Sequence, residues 1–552
     1  MELFYKLRER FKWTLLLAVL IWLGTGITFG NSVNRYDWRT VALSWGVAMA
    51  LRVLYTLILF PYFIDPLRHL PSLTLLDIRD LLPVTTVQRG KRPLEWVKKW
   101  PGADLINIRI IGYGSILLLV SPQAHRDVLS THAADFEKPE AGRNYLSGLL
   151  GNGLILVEGP EHKRQRRLLD PSFKIQNIRA LQALVAEKTE LMMERMLAES
   201  RTQGSVEIAS WGSRFTLDII GPTLMSIDFK ALTTNGNELE RAFAHLIAPS
   251  LGQSLLFLLS FFLPRSIIRS IPSSTNTMLT KNVSIVRSIC RDILDKKLAT
   301  ITASTETKDA TADILGSIMS NGELSQEELV DQMVTFIAAG HETTSASIAW
   351  VTHLLTLPKY QHYQTKIRDE VLSAMQQAGH TDLNQPPSWE ILDSLPLVNG
   401  ICEETLRLYP PITNTARKAI RNSYIAGRRI PKETIAIILP WVTNRNPEFW
   451  GAEAEDMVPE RWISETPDGV RRPNKNGKAM SNMCIQTFLH GHRACIGRDL
   501  AKAELRTFVA VFFTRFIVRR LPGDNGEVVP SGSLTIKPDG GLKVSLEPYE
   551  NE

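Results

Sequence analysis

The chain has 552 residues, of which 44% are hydrophobic and 22% are charged, and its net charge is +6. This balance is typical of a globular protein and excludes a disordered or fibrous chain. The positive charge is mild and spread out, with no dense basic block that would indicate a nucleic-acid partner. The four cysteines show neither a CxxC pair nor a zinc-like spacing, which favours a reducing compartment for the main body.

Two apolar runs occupy the N-terminal region. Residues 14–29 follow several basic residues, and residues 41–64 contain Arg52 as their only charge. The first run is near the lower length limit for a membrane-spanning helix, and the second is long enough. Basic residues ahead of the first run favour a cytosolic N-terminus; two spans would return the chain to the cytosol, and one would place the body in the lumen. A cleaved signal peptide would leave the second run unexplained.

We therefore expect a membrane anchor over residues 1–65, with one or two transmembrane helices at about 13–30 and 41–64. One large domain should fill residues 66–552, because no linker, repeat or second change of composition follows. Residues 246–272 are apolar but interrupted by prolines and a glycine. They fit either the core or a patch that dips into a membrane.

Helical patterns dominate the large domain. Residues 325–358 open with Ser325 and Glu328 in capping-box spacing and are apolar around most of the circumference, which predicts a long interior helix. A second helix should end before Pro410, and a third should begin at or just after Cys495. Two short β-hairpins are expected at 423–440 and 534–548, and surface loops at 298–313 and 464–482. The predicted class is mainly α with small β-sheets.

A cysteine lies in a glycine-rich turn near the C-terminus. The sequence FLHGHRACIG occupies residues 488–497, with Arg493 two residues before Cys495 and with Gly491 and Gly497 on either side. The glycines allow tight turns and close approach of the backbone to a bulky group. The helix predicted after the cysteine favours a thiolate, which is a nucleophile or a metal ligand. A lone buried cysteine, by contrast, is commonly inert.

The long predicted helix contains AAGHETTS at residues 338–345. Gly340 costs about 1 kcal/mol relative to alanine at mid-helix, which is tolerable if a molecule must approach the backbone. The Thr343 hydroxyl can bond to the backbone or to a ligand, and Glu342 is a candidate proton relay. The alternative is a helix kink with a solvated glutamate.

A charged pair lies in the second predicted helix. In EETLRL, Glu404 and Arg407 are spaced i, i+3 and share one helical face. Such a pair on a protein surface contributes little, but this helix is apolar, and the segment MVPERW with Arg461 follows it.

These motifs together resemble the cytochrome P-450 family. The loop at 488–497 matches the haem-binding signature F-x-x-G-x-R-x-C-x-G at five positions, which are Phe488, Gly491, Arg493, Cys495 and Gly497. The segments AAGHETTS, EETLRL and MVPERW are similar to further family motifs and occur in the family's order. The resemblance covers about residues 70 to 550 and implies the cytochrome P-450 fold, preceded here by N-terminal transmembrane helices.

The resemblance implies a role for each motif. Cys495 would be the axial ligand of the haem b iron, with Phe488 packed near the sulfur. Gly491 and Gly497 would give the porphyrin room, and Gly340 would leave a groove for dioxygen. Thr343 and Glu342 would guide protons to bound oxygen. The remaining motif residues would form a buried structural network that retains the haem: Glu404, Arg407 and Arg461.

Residues that would hold the haem propionates are implied less strongly. Arg493 and Arg417 match two family positions, and arginine suits the task because its planar fork meets a carboxylate at two points. The segment EGPEHKRQRR resembles the family's W-x-x-x-R motif with Arg166 at the arginine and His162 in place of the tryptophan. A histidine can still donate to a carboxylate. The alternative is a basic surface helix.

The resemblance implies a monooxygenase that inserts one oxygen atom from O2 into an apolar small molecule, such as a terpenoid or polyketide of specialised metabolism. Electrons would come from NADPH through NADPH-cytochrome P-450 reductase, with cytochrome b5 as a further partner, at the cytosolic face of the endoplasmic reticulum membrane. Substrate contacts are expected near Phe336, Ala339 and residues 412–415. Two alternatives remain: a haem-thiolate isomerase or dehydratase, and a membrane haem-binding protein without catalysis.

Overall fold

A computed structural model describes residues 38–73, 91–110, 114–234, 237–247, 250–260, 263–303, 313–319, 322–380, 382, 385–532 and 534–549. Helices dominate these residues, as expected. In chain order they are α1 (Trp38–Leu54), α2 (Lys91–Lys99), α3 (Pro122–Arg126), α4 (Glu140–Leu150), α5 (Gly159–Leu169), α6 (Ile175–Ala180), α7 (Gln182–Gln203), α8 (Ile208–Met225), α9 (Glu238–Ile247), α10 (Leu251–Leu259), α11 (Arg265–Ser270), α12 (Ser274–Ala303), α13 (Ile314–Met319), α14 (Gln326–Thr356), α15 (Tyr363–Gln377), α16 (Trp389–Ser394), α17 (Pro396–Leu408), α18 (Pro440–Thr443), α19 (Pro447–Trp450) and α20 (Arg498–Arg515).

The strands are short and form several small sheets. They are β1 (Ser72–Leu73), β2 (Leu105–Ile110), β3 (Gly114–Leu119), β4 (Phe136–Glu137), β5 (Val206–Glu207), β6 (Thr415–Ala419), β7 (Ser423–Ile425), β8 (Arg428–Ile430), β9 (Ile435–Ile438), β10 (Ile463–Glu465), β11 (Arg471–Pro473), β12 (Phe516–Arg520), β13 (Pro530–Ser531), β14 (Lys537–Pro538) and β15 (Lys543–Pro548). The largest sheet has the order β1-β2-β3-β9-β6-β4, and a second has the order β12-β15-β5.

Helix α14 is the long interior helix that the sequence predicts. Ser325 accepts from the backbone N–H of Glu328, whose side chain returns to the N-cap backbone, so the expected capping box is present. The helix packs closely on α8, where the Thr216 hydroxyl donates to the carbonyl of His341 at 2.9 Å. Its apolar residues join the large buried clusters that form the core. The site residues on α14 are therefore held by a rigid central element.

Two expectations about β-structure are wrong. Residues 423–430 form the hairpin β7–β8, but β9 leaves it to pair with β3 and β6 of the largest sheet. The predicted hairpin at 534–548 does not form, because β14 pairs with β13 while β15 pairs with β12 and β5. Gly540 and Gly541 both have positive φ and turn the chain between the two sheets. The predicted loop at 464–482 also contains part of the hairpin β10–β11. Helix α12 continues through Ala303 into the predicted loop at 298–313, of which residues 304–312 lie outside the described residues.

The apolar N-terminal segments are described only in part. The first run, residues 14–29, lies outside the described residues. In the second, residues 42–60 form a helical stretch that is long and apolar enough to cross a membrane. The segment at 246–272 has features of both a core segment and a membrane-contacting patch. Leu256 and Ile268 are buried in the core, whereas several other apolar side chains are exposed. Those exposed residues are Leu251, Leu255, Phe257, Leu258 and Ile267.

Candidate active site

The cysteine loop is shaped by glycine and by its approach to a neighbouring helical segment. Gly491 has φ +70°, and a side-chain carbon there would lie 1.9 Å from the carbonyl oxygen of Leu129, so only glycine fits. A side-chain carbon at Gly497, by contrast, would meet no atom within 4 Å. The backbone N–H of Cys495 donates to the carbonyl of Phe488 at 2.9 Å and closes the loop. The loop thus presents its cysteine with open space beside it.

Cys495 differs from the other cysteines in its accessibility. Cys290, Cys402 and Cys484 are buried, whereas Cys495 is exposed. Burial by surrounding protein nevertheless raises the pKa of the Cys495 thiol, against the opposing effects of the Gly497 backbone N–H and of the Arg166 charge. An accessible sulfur within protein walls is the geometry of an interior ligand site.

The expectation that the following helix stabilises the thiolate is met only in part. Helix α20 begins at Arg498, three residues after Cys495, and at this end of the helix the Gly497 backbone N–H and the Arg498 charge lower the pKa of the thiol. Because the net shift is upward, the protein alone favours the thiol. A bound metal cation would supply the missing stabilisation, since coordination deprotonates a thiol.

A cluster of buried cations lies beside the cysteine loop. Arg493 forms an ion pair with Glu158 and donates to the Val157 carbonyl at 2.8 Å. Arg417 of β6 is buried, and its Nη2 has no hydrogen-bond partner among the residues that the structure describes. The ammonium of Lys138 lies 3.7 Å from Glu158. Burial, followed by the charges of Arg417 and Arg493, lowers the pKa of Lys138 well below its usual value.

This cation cluster fits the two carboxylates of a haem. Lys138, Arg417 and Arg493 carry three positive charges when protonated, and Glu158 supplies one negative charge. Burial lowers the pKa of Arg417, and that of Arg493, to about 10, which shows how much solvation both guanidinium groups have lost. Buried charges normally have partners, so the surplus of two positive charges matches a dianionic ligand.

The helix that carries Arg166 and His162 completes the wall of this cluster. Arg166 donates to the carbonyl of Ala494 at 2.7 Å and to Asp170 at 2.5 Å, so it holds the cysteine loop as well as facing the cluster. The His162 ring is buried and lies 5.7 Å from the ring of His492, centroid to centroid. Burial, followed by the charges of Lys138 and other neighbours, lowers the pKa of His162 to about 4.

Three residues of this cluster were not predicted from the sequence: Lys138, Glu158 and His492. His492 looks like a free turn position in the signature, yet its pKa is lowered by burial and by the charges of Arg417, Lys138 and Arg166. Glu158 could have been suspected, because it is the N-cap of α5 immediately before the basic segment. Lys138 carries no sequence signal, since it follows β4 in a distant segment.

The structure also brings the predicted network together. Arg407 donates to both carboxylate oxygens of Glu404, at 2.8 and 2.6 Å, and both side chains are fully buried. The indole N–H of Trp462 and the backbone N–H of Val458 also donate to Glu404, at 2.8 and 3.0 Å. Arg461 lies 3.5 Å from the same carboxylate. These contacts bind α17 to the 458–462 segment.

The motif on α14 stands out by its exposure. Between residues 329 and 356, every residue is buried except Ala339, Gly340, Glu342 and Thr343. These four lie within one and a half turns and therefore mark a short stretch where the helix is less completely buried. The Thr343 hydroxyl donates to the Ala339 carbonyl at 2.7 Å, which leaves its oxygen free to accept.

Gly340 and Glu342 have contacts that the sequence does not reveal. A side-chain carbon at Gly340 would lie 2.9 Å from Cδ1 of Ile220, so this glycine allows α8 to pack closely on α14. Glu342 pairs with Lys537 at 2.9 Å. Burial raises the pKa of Glu342, but the nearby charges and hydrogen bonds outweigh burial and hold it below its usual value.

The remaining expected contacts are apolar. Phe488 packs partly buried against the core, with the Lys502 ammonium 5.7 Å from its ring centroid. Phe336 is buried and stacks on Phe173 at 5.5 Å between centroids.

The fold and the site define a haem-thiolate protein: a mainly helical chain with an accessible cysteine in a glycine turn, a cation surplus beside it and a central helix that opens at one motif. Comparison with known proteins agrees. Residues 107–545 match the cytochrome P-450 family. The chain belongs to this family, and it is an enzyme whose cofactor class is haem held by a cysteine thiolate.

Two relatives illustrate the similarity. The chain is 31% identical to cytochrome P-450 monooxygenase ALT8 of Alternaria alternata, over 97% of this chain and 95% of the relative. It is also 31% identical to cytochrome P-450 monooxygenase sphH of Aspergillus fumigatus, over 92% of each chain. Both matches extend over nearly the full lengths of the proteins compared.

Proposed function

We propose that this chain is a membrane-anchored monooxygenase that uses haem b to insert one oxygen atom from O2 into an apolar small molecule. The observation that carries the proposal is the accessible Cys495 beside a surplus of two buried positive charges. The names of the similar proteins support the monooxygenase reaction. When bound, the haem supplies the one-electron and oxygen chemistry, with the thiolate favouring O–O cleavage.

The residues around the cofactor site have different binding roles. Cys495 would hold the iron, and Arg417 and Arg493 would hold the propionates together with Lys138. His162 and Arg166 support the same side, because both face the cation cluster.

On α14, Thr343 and Glu342 move protons. Both lie in the less buried stretch of the helix. The Thr343 oxygen can accept a hydrogen bond from a ligand while its own O–H donates to the Ala339 carbonyl. The Glu342 carboxylate, held ionised at rest, can take up and release a proton at Oε1 or Oε2.

The substrate class follows from the side chains near this stretch. Phe336, Ala339 and residues 412–415 are the contacts we assign to substrate, and the first two are apolar. An apolar substrate such as a terpenoid or polyketide of specialised metabolism suits them, because apolar contacts favour apolar ligands.

We place the protein at the endoplasmic reticulum membrane with its catalytic domain, residues 66–552, in the cytosol. The helical stretch at 42–60 and the exposed apolar face of α10 support attachment to a membrane. At this location NADPH-cytochrome P-450 reductase would deliver electrons, with cytochrome b5 as a second donor.

Product analysis with and without NADPH and reductase tests the function. The full-length protein should show a thiolate-type band in its reduced carbon-monoxide difference spectrum, and apolar candidates should gain one oxygen atom only when NADPH and reductase are present. Turnover that needs neither would instead identify an isomerase or dehydratase. A Cys495→Ala variant that kept the thiolate band would refute the ligand assignment.

A further inference from the structure

The C-terminal hairpin β13–β14 is fastened to α14 at a point close to the motif. The indole N–H of Trp350, a fully buried residue of α14, donates to the carbonyl of Ile536 at 2.9 Å. Gly532 has φ +146°, and a side-chain carbon there would lie 1.7 Å from the carbonyl oxygen of Thr535, so the turn before β14 requires glycine. The hairpin is therefore fixed in its position along the helix.

This attachment places two side chains on one carboxylate. The ammonium of Lys537 lies 2.9 Å from Oε2 of Glu342, and the hydroxyl of Thr535 donates to Oε1 at 3.3 Å. The side chain of Glu342 is 12% exposed and that of Lys537 is 23% exposed. A pair so sheltered is screened less than a surface pair.

We propose that Lys537, assisted by Thr535, is a positioning residue that holds the Glu342 carboxylate ionised and oriented, so that the C-terminal hairpin controls proton uptake at Glu342. The inference rests on the proposed monooxygenase function, in which Glu342 moves protons. Lys537 acts through Glu342.

The other groups near this pair leave Lys537 as the main balancing charge. On α14, Nδ1 of His341 lies 4.0 Å from Glu342, but burial lowers the pKa of His341 to about 4, so its ring is neutral at pH 7. Its Nε2 is 2.5 Å from the hydroxyl of Ser213 on α8, also an uncharged group.

A second carboxylate, Glu240 of α9, also feels the Lys537 charge. Burial raises the pKa of Glu240, while the charges of Arg214 and Lys537 oppose that shift. Arg214 of α8 lies 3.8 Å from Glu240. Glu240 thus has its own cation, and Lys537 remains available to Glu342.

Removing the lysine charge should change when Glu342 ionises. With Lys537 present, the pKa of Glu342 lies below its usual value although burial raises it. Lys537→Met removes the largest effect that opposes burial, so the pKa of Glu342 should rise. Lys537→Arg keeps a positive charge at this place and should behave like the wild type.

The test uses the reduced carbon-monoxide complex of the full-length haem protein. The infrared C–O stretching frequency responds to charge near the bound molecule, and no turnover is needed to read it. Between about pH 6 and pH 8 the band should stay constant in the wild type and in Lys537→Arg, and should shift with pH in Lys537→Met. It should be constant again in Lys537→Met combined with Glu342→Gln.

Two further measurements complete the design. Product-forming turnover of Lys537→Met should fall about tenfold, with more peroxide released per NADPH consumed, because a misplaced proton relay loses part of its effect. Lys543→Met, which alters an exposed lysine on the next strand, should leave band and turnover unchanged. A Lys537→Met protein with a pH-independent band and wild-type peroxide release would overturn the inference. A wild type without a thiolate-type band would instead overturn the proposed function.

Discussion

The Glu404 carboxylate is fully partnered within the protein, whereas the described residues around Arg417 and Arg493 carry more positive than negative charge. Arg407 donates to both oxygens of Glu404 and to the carbonyls of Asn444, Ala454 and Asp456. The Nη2 of Arg417, although also buried, has no hydrogen-bond partner within the described part of the chain. Both clusters consist of buried arginines and glutamates, so composition alone does not separate them.

The balance of buried charge therefore distinguishes a structural cluster from a ligand-binding cluster. A buried charge without a partner costs free energy, and folding tolerates that cost where a ligand restores the balance. The matched cluster holds α17 to the segment that ends in Trp462. The cluster of Lys138, Arg417 and Arg493 has a surplus of positive charge that two carboxylates would balance.

The largest expected effect is on the matched cluster. Arg407→Met would remove the arginine that donates to both oxygens of the fully buried Glu404, leaving Arg461 at 3.5 Å, and the loss of a buried partner costs about 3–5 kcal/mol of folding free energy. Denaturant unfolding of the purified variant measures this. Arg519→Met is the matched control, since Arg519 and Glu547 form an exposed pair that contributes little. Equal stability of the two variants would show that the Glu404 network is not a scaffold.

The next effect should appear in haem retention instead of folding. Arg417→Met removes a buried cation whose Nη2 has no hydrogen-bond partner among the described residues. The variant should therefore stay folded, as measured by circular dichroism. Haem transfer to an excess of a haem-scavenging protein should become about tenfold faster, corresponding to the roughly 1.4 kcal/mol expected of a charge-assisted hydrogen bond. If the variant unfolded while its remaining haem stayed tightly bound, the cluster around Arg417 would be a structural cluster and not a haem-binding one.

The contiguous parts of the fold and site were predictable from sequence. The capping box at Ser325, the helix of Glu404 and Arg407 and the turn around Cys495 depend on residues close together in the chain. Local spacing determines such features.

Features built from distant segments were not predictable. Lys138 and Glu158 reach Arg493 from other parts of the chain, and Lys537 reaches Glu342 across 195 positions. The hairpin expected at 534–548 failed for the same reason, because its two strands pair with partners outside that range. Periodicity identifies a strand but does not identify its neighbour.

The smallest effect should appear in the titration of His162. The pKa of this histidine responds directly to the positive charges of the cluster. Burial, then Lys138, His492, Arg166 and Arg417, lower the pKa of His162 to about 4. An unfolded histidine titrates near 6.5. Because the unfolded chain takes up the proton first as pH falls, His162 lowers folding stability progressively from about pH 6.5 to about pH 4.

Arg417→Met removes one of those positive charges, so the pKa of His162 should rise by up to about one unit and the pH range of lost stability should narrow. NMR titration of labelled histidines in a haem-free Cys495→Ala background measures this shift. His125 provides an internal control, because burial lowers its pKa to about 4 as well, with opposition from the Ser121 carbonyl and a smaller effect of His490. Its titration should not change. A His162 that also stayed unchanged would mean that the Arg417 charge does not act on His162, and this charge would then be too well screened to attract a dianion.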